Sequence, residues 1–167
     1  MSLSKSVHDK PIEQDEQQAY DYALRLLTRR EYSRRELYQK LLQRYVKELA
    51  ILVLKRCIRA NLQSDELYAQ MLVRHMVYQG YGPLKFVQSC KSQGIGSDIY
   101  QALLEETDWL LLGLEVLQKK APHYMRDGTK PSALDYTQKQ KIMAMLYRRG
   151  FPAALITEIF EKFTKTT

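Results

Sequence analysis

An apolar pattern recurs three times along this chain, and it constrains the fold more than any other feature of the sequence. Five positions are apolar in every copy, and the equivalent residues are Leu37/Phe86/Ile142, Leu41/Cys90/Leu146, Tyr45/Ile95/Phe151, Leu49/Ile99/Leu155 and Val53/Leu103/Ile159. The second and third copies are 56 residues apart, and the first matches them with one residue deleted at its turn. Within a copy, these positions lie on one face of two helices that meet across a tight turn. A period of this length predicts tandem three-helix modules.

Turn and capping residues mark where the helices begin and end. Gly94 and Gly150 occupy the turns of the second and third copies, and Asn61 is placed as a left-handed helix cap. Two pairs have the spacing of a capping box, namely Ser33 with Glu36 and Thr137 with Gln140. No segment shows the sustained alternation of a strand. The sequence therefore predicts an all-α fold of nine short helices in three tandem helix-turn-helix-like repeats, in an elongated modular arrangement.

The predicted organisation is a disordered tail followed by the three repeats. The tail covers residues 1–12, and the repeats cover residues 13–62, 63–106 and 107–167. The first residues are polar and lack the apolar segment of a signal peptide, and no apolar run approaches the ~18 residues of a membrane span. We therefore expect a cytoplasmic protein without a membrane partner.

Basic residues are concentrated in the first repeat. Residues 21–60 contain eleven Lys and Arg against four Asp and Glu, which accounts for the whole net charge of +7. Such a patch favours an acidic partner, either nucleic acid or an acidic protein surface, although it could also be a solvated face. The candidate binding residues are Arg25, Arg29, Arg30, Arg34, Arg35, Lys40 and Arg44. A secondary patch in the third repeat comprises Lys139, Lys141, Arg148 and Arg149.

Tyrosines interleave with the first-repeat arginines at Tyr32, Tyr38 and Tyr45. Such rings either stack on nucleic-acid bases or pack between short helices, and packing is the commoner outcome. The tyrosines alone therefore do not predict a nucleic-acid interface.

The sequence contains no recognisable catalytic or cofactor-binding motif. There is no glycine-rich phosphate loop, and no Ser, Thr or Cys has the surroundings of a nucleophile. His8, His75 and His123 are far apart in sequence, and His75 is predicted on an apolar helix face as a core or interface residue. Cys57 and Cys90 are predicted to be reduced core thiols, with a disulfide or a metal site as lesser alternatives. We expect no enzymatic activity, no cofactor, no metal and no small-molecule substrate.

Four stretches of the chain resemble the RecX family, the regulators of the RecA recombinase. They are residues 23–42, which contain the family's most specific motif, residues 64–69, residues 80–83 followed by 93–95, and residues 138–142 through 148–151. The resemblance implies three tandem three-helix repeats, a cytoplasmic location and binding along the groove of the RecA–DNA filament. It also implies restraint of ATP hydrolysis, strand exchange and repressor co-cleavage in DNA repair and the SOS response, with some direct DNA binding.

Two positions depart from the family pattern. The family usually has a glycine in the turn after the first motif, whereas Arg44 here runs directly into Tyr45. It usually has a basic run before the segment that begins at Gly80, whereas residues 75–79 are nearly uncharged here. The missing basic run gives more weight to the first-repeat arginines.

A helix-turn-helix-type DNA-binding protein is the alternative function. It would read a DNA sequence through one recognition helix, usually as a dimer. No helix here pairs a basic stripe with the Asn, Gln and Arg cluster expected for base contacts, so RecA regulation is the preferred prediction. A scaffold or adaptor is a third alternative that the sequence leaves open.

Overall fold

The computed structural model describes residues 15–125 and 130–165, and within these ranges it contains nine α-helices and no β-strand. The helices are α1 (Glu16–Leu27), α2 (Arg34–Leu42), α3 (Lys47–Arg59), α4 (Asp65–Gln79), α5 (Pro83–Ser92), α6 (Ser97–Glu106), α7 (Trp109–Lys120), α8 (Tyr136–Arg148) and α9 (Ala153–Lys165). Two short 3-10 helices, Ala121–Tyr124 and Pro131–Ala133, lie between α7 and α8. The predicted all-α fold is confirmed, and the predicted tail lies outside the described residues.

The helices form two compact units, and each has its own hydrophobic core. Residues 1–65 form the first unit, in which α1–α3 enclose the fully buried Leu37 and Leu41. Residues 66–167 form the second unit, in which one core includes the fully buried Phe86 and Phe151. The second and third repeats therefore close a single core together.

The third helix of each repeat explains why the second repeat shares its core. α3 and α9 pack against the first helix of their own repeats and bury Val53 and Ile159 completely. The equivalent Leu103 on α6 is only partly buried, and none of the ten residues of α6, all within the described part, is fully buried. The apolar face of α4 is instead covered in the core that it shares with α7, α8 and α9.

Backbone hydrogen bonds also join the second and third repeats. The N–H of Gly82 donates to the carbonyl oxygen of Arg149 at 2.8 Å. The N–H of Leu84 donates to the carbonyl oxygen of Gly150 at 3.0 Å. A Cβ atom at Gly82 would lie 2.5 Å from the Gly150 oxygen, so only glycine permits this approach. The start of α5 is thereby fixed against the turn that follows α8.

The turn after the second helix of each repeat has the predicted register. In the second and third repeats, the N–H of Ile95 donates to the carbonyl oxygen of Cys90 at 3.0 Å, and the N–H of Phe151 donates to the carbonyl oxygen of Leu146 at 3.2 Å. In the first repeat, the N–H of Tyr45 donates to the carbonyl oxygen of Leu41 at 2.9 Å. The first turn is thus one residue shorter, as the deletion predicts. Gly94 and Gly150 have positive φ angles of 72° and 90° in the longer turns. The shorter turn needs no such conformation, which is why Arg44 is accommodated there.

The N-cap at Ser33 and the left-handed cap at Asn61 are confirmed. Ser33 Oγ accepts a hydrogen bond from the N–H of Glu36 at 3.0 Å and caps α2. Asn61 has a φ of 53°, and the N–H of Leu62 reaches back to the Cys57 carbonyl at 2.9 Å, which satisfies a carbonyl at the end of α3.

The capping box predicted at Thr137 and Gln140 is wrong by two residues. The Asp135 carboxylate accepts from the N–H of Gln138 at 2.8 Å, and the Gln138 side chain accepts from the N–H of Asp135 at 2.9 Å. Asp is at least as good an N-cap as Thr. The earlier start places Thr137 and Gln140 inside α8.

His75 is exposed, which corrects its predicted place on an apolar face. The buried face of α4 contains Tyr68, Leu72 and Met76, whereas Leu67 is 45% exposed. A helix face counted from Leu67 would include His75, whereas the face that reaches the core begins one residue later, at Tyr68. That shift is enough to turn His75 away from the interior.

The two cysteines are free thiols and both are buried, as predicted. Burial raises the pKa of Cys57, and it raises the pKa of Cys90 to about 11. The thiol form is therefore favoured at neutral pH in both cases.

We expect both thiols to be protected in the folded protein. At pH 8, native protein should react with Ellman's reagent far more slowly than protein in guanidinium chloride, because the reactive thiolate is disfavoured and covered. The absorbance of the released thiol dye measures this directly. Fast reaction of either cysteine in the native protein would show that its helix opens locally.

Candidate functional site

Three of the predicted arginines meet at one depression in the first unit. Arg25 lies in the last turn of α1, Arg29 lies in the turn that follows α1, and Arg44 lies in the turn after α2. All three are exposed, and together with Tyr22 and Leu26 they line a cavity of about 320 Å³. The fold thus brings Arg44, distant in sequence, beside Arg25 and Arg29.

A pair of tyrosine rings supports Arg44 in this position. The Arg44 guanidinium carbon lies 4.5 Å from the centroid of the Tyr22 ring, and that ring lies 6.1 Å from the ring of buried Tyr45. A guanidinium over an aromatic face is attracted by the negative potential of the ring. Tyr22 was not singled out in the sequence, because its contact with Arg44 depends on the packing of α1 against the turn.

The positive charge at this depression is largely uncompensated. Among the described residues, no carboxylate lies within 4.0 Å of the guanidinium nitrogens of Arg25, Arg29 or Arg44. Asp21 lines an adjoining depression beside Arg25 and Arg44 and accepts a hydrogen bond from Gln17. Three cations that face one acidic side chain favour an anionic ligand group.

We expect the Tyr22 ring to contribute measurably to the stability of the first unit. Tyr22→Leu keeps an apolar side chain but removes the ring under Arg44, so the free energy of unfolding should fall by about 1 kcal/mol. Tyr22→Phe keeps the ring and should change it little. Urea unfolding followed by circular dichroism compares the two, and equal stabilities would show that the ring does not hold Arg44.

Arg30 differs from its neighbours because its charge is already paired. Its Nη1 donates to Glu36 Oε2 at 3.0 Å and to the Glu31 carbonyl at 2.9 Å, and its guanidinium carbon lies 3.9 Å from the Tyr32 ring centroid. Burial lowers the pKa of Arg30, but the hydrogen bond and the charge of Glu36 raise it overall. Arg30 thus fixes the link between α1 and α2.

Arg34, Arg35 and Lys40 lie on α2 and do not line the depression. Arg34 and Arg35 are exposed in the first turn of α2, and Lys40 is partly buried in the last turn. The Arg34 backbone N–H donates to Asp65 Oδ1 at 2.8 Å, which leaves its guanidinium outside that contact. Cations at a helix N-terminus interact unfavourably with the helix dipole. Arg34 and Arg35 therefore do not stabilise α2 through their charge.

The interleaved tyrosines pack into the first unit. Tyr32 and Tyr45 are 7% and 4% exposed, and Tyr38 is partly buried against the same core. The packing alternative is therefore correct, and Tyr32 and Tyr45 are not exposed for base stacking.

The secondary patch contains one residue with a structural role. Arg149 Nη1 donates to the carbonyl oxygens of Gln79 at 3.0 Å and Gly80 at 3.1 Å, at the end of α4. Lys141 and Arg148 are exposed on α8, and Lys139 is partly buried. Substitution of Arg149 would therefore disturb the second unit as well as its charge.

The described residues offer neither a cluster of metal ligands nor a membrane-spanning helix. Across residues 15–125 and 130–165, no group of three or more His, Cys, Asp or Glu is placed to hold a metal ion. In the same ranges, no helix has both the length and the apolar character needed to cross a membrane.

Two family models match this chain, one in the first repeat and one in the third. The family model described as RecX, first three-helix domain, matches residues 19–57, and the model described as RecX, third three-helix domain, matches residues 112–160. Regulatory protein RecX of Legionella pneumophila (strain Corby) is 36% identical over 147 residues, which cover 86% of this chain and 93% of that protein. Regulatory protein RecX of Actinobacillus pleuropneumoniae serotype 5b (strain L20) is 35% identical over 136 residues, covering 80% and 84%.

Solved structures resemble the fold described above. The crystal structure of RecX from Lactobacillus salivarius superposes with a TM-score of 0.74 at 24% identity, covering 91% of this chain and 97% of that one. A second crystal structure, of a regulatory protein RecX, gives a TM-score of 0.70 and also covers 91% of this chain.

Proposed function

This chain belongs to the RecX family of regulatory proteins, and from that membership we propose that it binds the RecA recombinase filament and inhibits it. The activities restrained are the RecA ATPase, strand exchange and repressor co-cleavage, within DNA repair and the SOS response. The protein acts in the cytoplasm and needs no cofactor. It binds DNA weakly and without sequence preference, through the same positive charge.

The observation that carries this proposal is the uncompensated arginine cluster of the first three-helix domain. Arg25, Arg29 and Arg44 converge on one depression, and Arg34 and Arg35 add exposed charge on α2. A filament of protein on DNA offers carboxylates and phosphates, both of which a guanidinium binds through two parallel hydrogen bonds. Attachment through this surface is therefore electrostatic and should weaken as salt rises.

Regulation requires more than attachment. A ligand shifts an equilibrium only by the difference in its affinities for the two states. The protein therefore binds one arrangement of the filament more tightly than the others, and it slows the steps that need a different arrangement.

RecA ATPase activity on single-stranded DNA tests the proposal. Addition of this protein should lower the rate of ATP hydrolysis. The concentration of the protein that gives half-maximal inhibition should rise steeply between low and moderate salt. An unchanged rate at every concentration would contradict inhibition. Preferential binding to one duplex sequence over bulk DNA, without an effect on RecA, would instead support the helix-turn-helix DNA-binding alternative.

A further inference from the structure

A second depression lies in the unit formed by residues 66–167, and Arg149 is the one member of the predicted secondary patch that lines it. It has a volume of about 310 Å³ and lies between the C-terminal end of α4, one face of α7 and Arg149. Buried Leu112 and Val116 belong to its apolar part, and Lys119 and Lys120 lie at its edge. Its volume is at the lower end of the range for ligand sites, large enough for one or two side chains of a partner.

Arg149 is held rigidly at this depression. Its Nη1 donates to two carbonyl oxygens at the end of α4, and Gly80 beside it leaves no space for a side chain, since a Cβ there would lie 2.8 Å from Val116 Cγ2 and 3.3 Å from Arg149 Nη1. These bonds use one nitrogen of the guanidinium. The Nε and Nη2 donors are not used in them, so a positioned cation with unused donors lies at the depression.

The charges around this depression are unbalanced. Lys119, Lys120 and Arg149 line it, whereas Glu115 is the one acidic residue of its lining. Within the part of the chain that the structure describes, no carboxylate lies within 4.0 Å of the charged nitrogens of these three cations. A ligand with carboxylates would therefore meet a net positive site in which Arg149 is already ordered.

An exposed aromatic side chain lies beside these cations. Tyr78 is 86% exposed and Val77 is 38% exposed, and both line the depression. A tyrosine beside a positively charged edge has the character of a binding anchor, because the ring gives contact area at a small cost in side-chain entropy.

We propose that this depression binds an acidic peptide segment that carries a large apolar side chain. The apolar side chain packs on Tyr78 and Val77, and the flanking carboxylates pair with Arg149, Lys119 and Lys120. The charge of the site selects an acidic segment over a basic one. The proposal uses no residue of the first-repeat arginine cluster and does not depend on RecA binding.

Selection from a displayed library of short random peptides tests this proposal. The full chain is the bait, and Lys119→Glu with Lys120→Glu is used for counter-selection. That variant keeps the first-repeat arginines, so counter-selection removes peptides that bind there. We expect enrichment of peptides in which Asp or Glu flank Phe, Trp, Leu or Ile, and a loss of at least about tenfold in affinity for the lysine variant.

Two further variants make the result decisive. Tyr78→Ala should weaken the enriched peptides without a change in circular dichroism, because the ring is solvent-exposed. Lys55→Glu with Lys91→Glu makes the same change of charge at two exposed lysines elsewhere and should leave binding unchanged. The proposal is wrong if selection yields no peptide that discriminates the lysine variant, or if both double variants weaken binding equally.

Discussion

Replacement of Arg25, Arg29, Arg34 and Arg35 by glutamate in one variant should abolish the effect of this protein on RecA ATPase activity at concentrations where the wild type is fully effective. All four side chains are exposed, and among the described residues none has an ion pair that the change would break. Each lost charge-assisted contact is worth about 1.5–3 kcal/mol. Together they should raise the required concentration on the order of a hundredfold or more.

A charge-matched control variant distinguishes loss of this surface from a general change in the net charge of the protein. Glutamate at Lys47, Lys55, Arg74 and Lys91 makes an identical change at four other exposed cations and should leave most of the inhibition intact. Circular dichroism should be the same for both variants. If the first variant is folded and still inhibits at wild-type concentrations, the arginine cluster is a solvated face, and Lys139, Lys141 and Arg148 become the next surface to substitute.

Phe151→Ala should cost the second unit about 3–5 kcal/mol of unfolding free energy. The Phe151 ring is fully buried, and it lies so close to α7 that a Cβ atom at Gly113 would be 3.3 Å from its edge. Truncation leaves a cavity between α7 and the turn after α8. Since a domain of this size has a total stability of about 5–15 kcal/mol, the variant should be near the limit of folding.

The fluorescence of Trp109 reports this loss, because it is the chain's single tryptophan and is buried in the second unit. Urea unfolding of wild type and variant gives the difference in free energy. Tyr147→Ala removes an aromatic side chain of the same repeat that is 66% exposed, and should change stability by no more than about 0.5 kcal/mol. A loss below about 1 kcal/mol for Phe151→Ala would show that the ring is not a core element.

The repeat register could be predicted because it depends on spacing alone. Leu41, Cys90 and Leu146 are all fully buried at equivalent positions. Apolar spacing did not show that the second and third repeats share a core, because it identifies which face is covered but not which helix covers it. The partial burial of α6 depends on the positions of the neighbouring helices, so it could not be predicted from apolar spacing.

The candidate site was harder to predict than the fold. Arg25 and Arg30 have the same charge and differ by five positions, yet one is unpaired in the described part of the chain and the other is bonded to Glu36. Arg149 likewise appeared as surface charge in the sequence but holds the end of α4. Long basic side chains reach partners far along the chain, so composition locates a basic region without separating binding residues from structural ones.

The contact between Gly82 and the turn at Gly150 has a consequence for the order of events during synthesis. Chains emerge from the ribosome with the N-terminus first, and domains generally fold as units. The first unit has its complete core once residue 65 has emerged. The second unit lacks Phe151 and the partners of Gly82 and Leu84 until nearly the whole chain is available. The apolar face of α4 is thus synthesised early and covered only when the third repeat has emerged, and exposed apolar surface of this kind favours aggregation in the interval.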